Sequence, residues 1–312
     1  MADQKFRLVT RSDFDGLACA VLFNELQMID DILFVHPKDM QDGKIAIGPR
    51  DITTNLPYVR AAHLAFDHHA SENLRNAEKN ANHVIHEHAP SAARVVYESY
   101  GGSQRFPGKF DAMMFAVDKS DSADFALDDI LEPKRWVLLN YLMDSRTGLG
   151  RFRQFRVSNY RLMMDLIHHV AHFGIDEVLA LPDIEERVDL YFYHAERAKA
   201  QILRCTTVHG KLALLDLRQE ETIYATNRFM VYALHPQVNI SIHVMWGAHK
   251  QNTVLATGKS ILDRSQRTHI GALMLSYGGG GHAAAGSCQV DNAEADRVLR
   301  DVIAAINSDN GT

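Results

Sequence analysis

Short apolar runs alternate with amphipathic stretches over the first 120 residues. The runs lie at 6–10, 32–35, 45–47, 63–66 and 84–85, and charged or turn residues bound each of them. Between the first two runs, Gly16 to Met28 carries apolar residues at helical spacing, including Leu17, Ala20 and Val21. Near-continuous apolar strands separated by helices are typical of a parallel sheet covered on both faces. We therefore predict an α/β domain at the start of the chain.

The pattern of apolar and polar residues changes twice after the first 120 residues. Residues 132–204 are mostly of helical character, and 187–204 form a long, polar-rich stretch without glycine or proline, which predicts a connecting helix. After Cys205, the runs at 211–216, 223–224, 239–246 and 254–256 predict strands, and 293–306 predicts a closing helix. We therefore expect a parallel-sheet domain over 1–185, a linker helix over 186–206 and a smaller α/β domain over 207–308.

Composition narrows the class of protein. The 312 residues are 46% hydrophobic and 23% charged, as in ordinary globular proteins. A formal net charge of −6 excludes a general attraction to long nucleic acids or anionic membranes. The three cysteines show no C-x-x-C spacing, and no stretch approaches the roughly 20 apolar residues that span a bilayer. We expect a cytoplasmic protein without a membrane partner.

Acidic residues follow several of the predicted strands. Asp13 and Asp15 follow the first, Asp51 the third, and Asp67-His68-His69 end the fourth. Because the carboxyl ends of parallel strands share one edge, these groups are expected to converge. Clustered carboxylates repel each other unless a cation lies between them, and carboxylate with imidazole suits Mn²⁺, Fe²⁺ or Zn²⁺. A single Asp at such a position is more often a helix N-cap or a solvated turn, but here the same edge is predicted four times.

Asp118 and Asp121 follow a predicted helix over 110–117 and add to this acidic set. Asp118 is the expected ligand because it lies at the helix end, with Asp121 as the alternative.

Four consecutive glycines, Gly278, Gly279, Gly280 and Gly281, precede His282. Glycines let backbone N–H groups approach an anion without obstruction, so this run predicts a phosphate-binding loop, with a flexible surface loop as the alternative. Upstream, Arg264 and Ser265 offer a cation and a hydroxyl suited to phosphate.

Five arginines within 146–161 are interleaved with Phe152, Phe155 and Tyr160. This segment is either a basic rim with aromatics for base stacking or a helical face paired with acids elsewhere. His168, His169 and His172 are interpreted as one face of a helix rather than as a metal site.

The ordered set of motifs resembles the DHH/DHHA1 phosphoesterases. It comprises SDFDG at 12–16, DHH at 67–69 and GGGGHAAAG at 278–286, and it runs over nearly the whole chain. That family includes nanoRNases, hydrolases of cyclic and linear dinucleotides, and RecJ-type exonucleases. The resemblance implies two α/β domains with a Mn²⁺ site on the first.

By this resemblance, the metal ligands would be Asp13, Asp15, Asp51, Asp67, His68 and Asp118. Asp67, His68 and His69 would be catalytic, with His69 alternatively a support for His68. The substrate would be held by Arg264, Ser265, Gly278 to Gly281 and His282. The implied cofactor is Mn²⁺, with Mg²⁺ or Co²⁺ as substitutes. Many members carry a histidine three or four residues before the first Asp, where this chain has Thr10 and Val9, so one or two ions remain open.

The resemblance also implies a function. TNLP at 54–57, DHHASE at 67–72 and YGGGGHAAAG at 277–286 are similar to proteins that hydrolyse pGpG. The expected reaction is hydrolysis of short linear nucleotides to mononucleotides by metal-activated water. The alternatives are an exopolyphosphatase-like phosphohydrolase and a nucleotide-binding regulator with a decayed metal site. The sequence leaves open the base preference and whether the chain forms a homodimer.

Overall fold

The computed structural model describes residues 5–69 and 80–310. The chain forms two compact units. The first comprises Met1–Asp124, Pro133–Ser145 and Leu149–Asp189, and the second comprises Phe125–Glu132, Arg146–Gly148 and Leu190–Thr312. The change between them falls inside a long helix at Asp189–Leu190. The division at 185, 206 and 308 stays a prediction.

The first unit is built on a five-stranded sheet in the order β2-β1-β3-β4-β5, with every neighbouring pair parallel. The strands are β1 Phe6–Arg11, β2 Ile29–Val35, β3 Asp51–Thr54, β4 Leu64–Asp67 and β5 His83–Ile85. The predicted parallel sheet is confirmed. Its inner positions are fully buried, as both-sided coverage requires.

The third strand differs from the prediction. Residues 45–47 do not form a strand, and Ile45 and Ile47 instead pack as partly buried side chains on a small apolar cluster. The strand is Asp51–Thr54, whose four residues are all buried. Its β-branched Ile-Thr-Thr run suits a pleated sheet, but its polar threonines hide it from a hydrophobicity pattern. Asp51 therefore begins a strand and does not follow one.

Twelve helices are described in chain order. They are α1 Phe14–Glu25, α2 Pro37–Gln41, α3 Ala92–Ser99, α4 Asp111–Asp121, α5 Leu127–Leu131, α6 Arg135–Met143, α7 Asn159–His172, α8 Ile175–Leu179, α9 Pro182–Cys205, α10 Met230–Leu234, α11 Ile270–Leu275 and α12 Ala295–Asn310. The long helix predicted over 187–204 is confirmed within α9. No described helix is both long and apolar enough to cross a membrane.

Helix α1 is the central helix of the first unit. Its residues from Phe14 to Phe23 are all buried, because it contacts β1, β2 and helices α3, α4 and α7. A Cβ on Gly16 would collide with the carbonyl oxygen of Arg11. Glycine at this position therefore lets the chain turn directly from β1 into α1, which places the residues between them at the carboxyl edge of the sheet.

The second unit holds a six-stranded mixed sheet in the order β10-β11-β9-β8-β7-β6. Its strands are β6 Thr206–His209, β7 Leu212–Asp216, β8 Ile240–Trp246, β9 Thr253–Lys259, β10 Gly280–Gly281 and β11 Ala285–Val290. Only β7 and β8 run parallel among these paired neighbours. Apolar side chains of β7, β8 and β9 pack with α11 and α12 to form its core.

The strand predicted at 223–224 is wrong. The backbone N–H of Tyr224 donates to Oε1 of Gln201 at 3.1 Å, and that of Ala225 donates to Nδ1 of His194 at 3.1 Å. Side chains of α9 thus satisfy this segment, which needs no strand partner.

Candidate functional site

Asp67, at the end of β4, is a buried carboxylate with only one oxygen satisfied. Its Oδ1 accepts the backbone N–H of His68 at 2.8 Å and of His69 at 3.3 Å, and lies 2.7 Å from Nδ1 of His69. Its Oδ2 is buried and has no hydrogen-bond partner among the described residues. A buried, unsatisfied carboxylate oxygen is costly, so this atom suits contact with a cation.

His68 presents one defined ring nitrogen to the site. Its Nδ1 lies 3.1 Å from the carbonyl oxygen of Ala89, which can only accept, so the proton is assigned to Nδ1. Its Nε2 faces Oδ2 of Asp121 at 2.9 Å. In a neutral ring both of these atoms are acceptors, so a proton or a metal ion must lie between them.

In the metal-free protein, a proton takes that position. Burial disfavours the imidazolium, but the hydrogen bond to Asp121 and the charges of Asp121 and Asp15 outweigh it and raise the pKa of His68 to about 9. For Asp121, burial acts to raise the pKa, but the hydrogen bond and the charge of His68 outweigh burial. The pKa of Asp121 is therefore lowered from its ordinary value.

Asp15 binds the backbone of another helix and also lies among the candidate metal ligands. Its two oxygens accept the backbone N–H groups of Ala92 at 3.0 Å and Ala93 at 2.7 Å, at the start of α3. Burial, together with the charge of Asp121, raises the pKa of Asp15 well above its ordinary value. Asp15 therefore anchors the start of α3, whose N-cap is Ser91, and is also a candidate metal ligand.

Two groups of residues could hold a metal ion. Asp15, His68 and Asp121 form one, and Asp67, His68 and His69 form the other, with ligand atoms within 4.8 Å of one another in each. The groups share His68. The described part of the chain thus gathers its metal-competent side chains around this one histidine.

Asp121, and not the expected Asp118, meets His68. Helix α4 continues to Asp121, so the two residues lie about one turn apart on the same helix. The carboxylate of Asp118 is occupied by the hydroxyl of Ser91 at 2.7 Å and by Nε of Arg94 at 2.9 Å. Asp118 belongs to neither metal-competent group.

Asp13 lies at the same edge but outside both groups. It is the N-cap of α1, where Oδ1 accepts the N–H of Gly16 at 3.0 Å, and its Oδ2 lies 2.9 Å from Nε of Arg11. Its oxygens are thus engaged by the protein.

The expectation that Asp51 joins this edge is wrong. It starts β3, in register with Arg7, and so lies at the amino edge of the sheet. It binds Nε and Nη2 of Arg7 at 2.7 and 3.0 Å and the N–H of Gly48 at 2.7 Å. The first and last residues of a strand lie at opposite edges of a parallel sheet. Because the strand was predicted at 45–47 and is in fact Asp51–Thr54, the prediction put Asp51 at the wrong edge.

Asn55, which sequence reasoning missed, takes the position expected for Asp51. It follows β3 at the carboxyl edge and is 3% exposed, with φ of 54°. Its Nδ2 lies 3.5 Å from Oδ1 of Asp13, and its own Oδ1 is buried without a hydrogen-bond partner among the described residues. The sequence signal that could have found it is an Asn directly after a β-branched run. Asn tolerates the left-handed conformation that this position adopts.

The glycine-rich run is an edge hairpin and not a flexible loop. Strand β10 pairs with β11, and a Cβ on Gly279 or Gly281 would collide with the backbone of β11. Gly281 also has φ of 150°. A Cβ on Gly278 or Gly280 would meet nothing within 4 Å, so the backbone has open space at these two positions. His282 is exposed and donates its N–H to the carbonyl oxygen of Ala285 at 2.7 Å.

The other predicted substrate residues lie in the loop after β9 of the same unit. Arg264 is exposed, with Nε 3.4 Å from the carbonyl oxygen of Ile261. The hydroxyl of Ser265 accepts from Nδ2 of Asn239 at 2.9 Å. Their roles in binding stay predictions.

The arginine-rich segment is partly paired within the first unit. Nε of Arg161 lies 2.9 Å from Asp165, and Phe155 lies under the guanidinium of Arg187 at 4.1 Å. These contacts match the interpretation as a paired face for part of 146–161. Within the described ranges, His168, His169 and His172 form no metal-competent group.

A parallel sheet with an Asp–His cluster on its carboxyl edge, followed by a mixed-sheet unit with a glycine-rich hairpin, defines the class of DHH-type phosphoesterases. The chain is 61% identical to the pGpG-specific phosphodiesterase PggH from Vibrio cholerae, with a TM-score of 0.84, over 98% of this chain and 100% of that one. The chain belongs to the DHH/DHHA1 phosphoesterase family. Residues 70–72 of the DHHASE motif lie outside the described residues.

Two distant structures share the fold alone. An exopolyphosphatase-related protein from Bacteroides fragilis is 13% identical with a TM-score of 0.53, over 97% of this chain and 92% of that one. RecJ in complex with Mn²⁺ from Thermus thermophilus is 13% identical with a TM-score of 0.56, over 98% of this chain and 52% of that one. No protein-family model and no curated protein matches the chain.

Proposed function

We propose that this protein is a metal-dependent phosphodiesterase that hydrolyses linear dinucleotides, pGpG among them, to mononucleotides. The observation that carries the proposal is the 61% identity to PggH over nearly the full length of both chains. The Asp–His cluster supports it independently, because it offers the ligand types and the edge of the sheet that such chemistry needs.

The donor set suits Mn²⁺, with Mg²⁺ or Co²⁺ as substitutes. Carboxylates from Asp15 and Asp121 with the imidazole of His68 would hold the ion, and Asp67 and His69 lie in the adjoining group. The unsatisfied Oδ2 of Asp67 and the acceptor pair of His68 and Asp121 fit a cation at this position. When bound, a divalent ion lowers the pKa of a coordinated water and neutralises charge that develops on the phosphate.

The protein orients each of these side chains. The carbonyl of Ala89 holds His68 in one tautomer, and the N–H groups of Ala92 and Ala93 hold Asp15. Nδ1 of His69 lies 2.7 Å from Oδ1 of Asp67, which orients the ring, and we assign His69 a catalytic role in proton transfer.

The predicted substrate-binding residues of the second unit would contact phosphate. Arg264, Ser265, Gly278 to Gly281 and His282 would supply the donors, and the open space at Gly278 and Gly280 would allow an anion close approach. We also propose a cytoplasmic location, because Cys19, Cys205 and Cys288 are all free thiols. A homodimer stays a prediction that light scattering can test.

Chromatographic product analysis tests the function. The protein is incubated with Mn²⁺ and separate samples of pGpG, pApA, a cyclic dinucleotide, a longer oligonucleotide and polyphosphate. We expect mononucleotides from the linear dinucleotides, loss of turnover on chelation, and recovery with Mn²⁺. Cleavage of polyphosphate alone would replace this proposal with an exopolyphosphatase. Dinucleotide binding without turnover would indicate a regulator.

A further inference from the structure

Arg11 is the last residue of β1 and stands beside the Asp–His cluster. Its side chain is 34% exposed, and its Nε lies 2.9 Å from Oδ2 of Asp13. Its charge also reaches Asp121, since it adds to the effect of His68 in lowering the pKa of that carboxyl against burial. Among the residues that the structure describes, Nη1 and Nη2 of Arg11 have no hydrogen-bond acceptor.

Asp13 holds this arginine from a fixed position. Its Oδ1 accepts the N–H of Gly16 at the start of α1 and lies 3.5 Å from Nδ2 of Asn55. Asp13 lies outside both metal-competent groups; it caps α1 and pairs its charge with that of Arg11. The guanidinium of arginine presents its terminal nitrogens as a planar fork, and the ion pair with Asp13 lies at Nε.

We propose that Arg11 is a phosphate-binding residue of the active site, with Asp13 as its positioning partner. This inference rests on the proposed function. The Nη1 and Nη2 groups donate hydrogen bonds to the non-bridging oxygens of the phosphate that is hydrolysed, in the bidentate geometry that arginine forms with phosphate. A fixed cation is needed there because the carboxylates of Asp13, Asp67 and Asp121 oppose an entering anion.

Arg7 provides an internal contrast on the same strand. It lies four residues earlier, on the same face of the sheet but at the opposite edge, and is 31% exposed. Its Nε and Nη2 both bind Asp51, and Nη2 also donates to the carbonyl oxygen of Ala46 at 3.0 Å. The two arginines match in exposure and in having an aspartate partner. They differ in that protein acceptors bind Nη2 of Arg7, whereas neither terminal nitrogen of Arg11 has an acceptor among the described residues.

The experiment compares Arg11→Gln and Arg11→Lys with the matched control Arg7→Gln. Steady-state hydrolysis of pGpG, pGpG affinity by calorimetry, Mn²⁺ affinity and thermal melting are measured for each. We expect Arg11→Gln to lower kcat/KM by about 100-fold and to weaken pGpG binding, while Mn²⁺ affinity is kept or improved. Arg11→Lys, which keeps the charge without the fork, should lose less. Arg7→Gln should lower the melting temperature and leave kcat/KM within about twofold.

Equal pGpG affinity of the wild type and Arg11→Gln overturns the proposal, whether or not the wild type turns over. Loss of Mn²⁺ affinity in Arg11→Gln also overturns it, because Arg11 would then act on the metal site and not on phosphate. Failure of the wild type to hydrolyse any dinucleotide counts against the proposed function instead. If Arg11→Gln does not fold, Arg11→Lys carries the test, and an unchanged kcat/KM and pGpG affinity in that variant contradict the inference.

Discussion

The two edges of the first sheet carry similar charged pairs and have different properties. At the amino edge, Asp51 accepts three hydrogen bonds from Arg7 and Gly48. At the carboxyl edge, one oxygen of Asp67 and the side-chain oxygen of Asn55 are buried without partners among the described residues. The amino edge is closed by its own contacts and contributes to stability. The carboxyl edge keeps unsatisfied atoms, as expected where a fold has been shaped to bind.

The largest expected loss of activity comes from removing side chains at the centre of the Asp–His cluster on the carboxyl edge. His68→Ala or Asp67→Ala should abolish hydrolysis of pGpG, because each removes a donor that the other side chains of its group cannot replace. The melting temperature should change far less than activity. His172→Ala, an exposed histidine on α7, is the control and should retain full turnover. Near-normal activity in either site variant would mean that the metal-binding assignment is wrong.

A second pair of variants separates two aspartates on one helix. Asp121→Asn should remove most activity and weaken Mn²⁺ binding, because Asp121 faces His68. Asp118→Asn should cost about 10- to 100-fold, since its carboxylate only orients Ser91 and Arg94. Activity and Mn²⁺ titrations measure both. The reverse ranking would restore Asp118 as the ligand.

The stability of the metal-free protein should depend on pH through the same edge. The pKa of His68 rises from its ordinary 6.5 to about 9 in the folded state, so its contribution is fully present below pH 6.5 and is lost as pH rises through 9. The contribution is at most about 3 kcal/mol. Asp15, whose pKa is also raised, acts in the same direction.

Urea unfolding between pH 6 and 10 measures this loss, with His68→Gln as the control that should flatten the profile. Added Mn²⁺ should restore stability most at high pH, where it no longer competes with the proton. A wild-type profile as flat as that of the control would contradict the His68–Asp121 geometry.

The smallest effect is expected at the closed edge. Asp51→Asn removes the charge that binds Arg7 while leaving the backbone unchanged, and we expect a loss of about 1–3 kcal/mol in the free energy of unfolding. Because this edge lies opposite the cluster, kcat and Mn²⁺ affinity should stay at wild-type levels. A metal-binding defect in Asp51→Asn would show that the two edges communicate.

The local pattern of apolar and polar residues was enough to predict much of the fold. The apolar runs at β1, β2 and β4 predicted a parallel sheet, and the glycine-free stretch over 187–204 predicted α9, because both depend on residues close together in the chain. The pattern failed at β3, where threonines occupy buried positions, and at 223–224, where side chains of α9 satisfy the backbone.

For the site, the sequence by itself determined that Asp13, Asp15 and the Asp67-His68-His69 run follow strands of one parallel sheet. That conclusion needs only the order of elements and the rule that strand ends share an edge. The motifs also determined the family. Each of these inferences concerns which residues come next to which along the chain.

Only the tertiary structure decided which side chains face each other. The register of β1 against β3 sent Asp51 to one edge and Asn55 to the other, and the rotation of α4 turned Asp121 rather than Asp118 toward His68. Register and helix rotation are set by packing between elements far apart in sequence, so residues one turn or four positions apart exchange roles without any local sign. The same packing leaves the terminal nitrogens of Arg11 without a protein acceptor in the described chain, while Nη2 of Arg7 is engaged by Asp51 and Ala46.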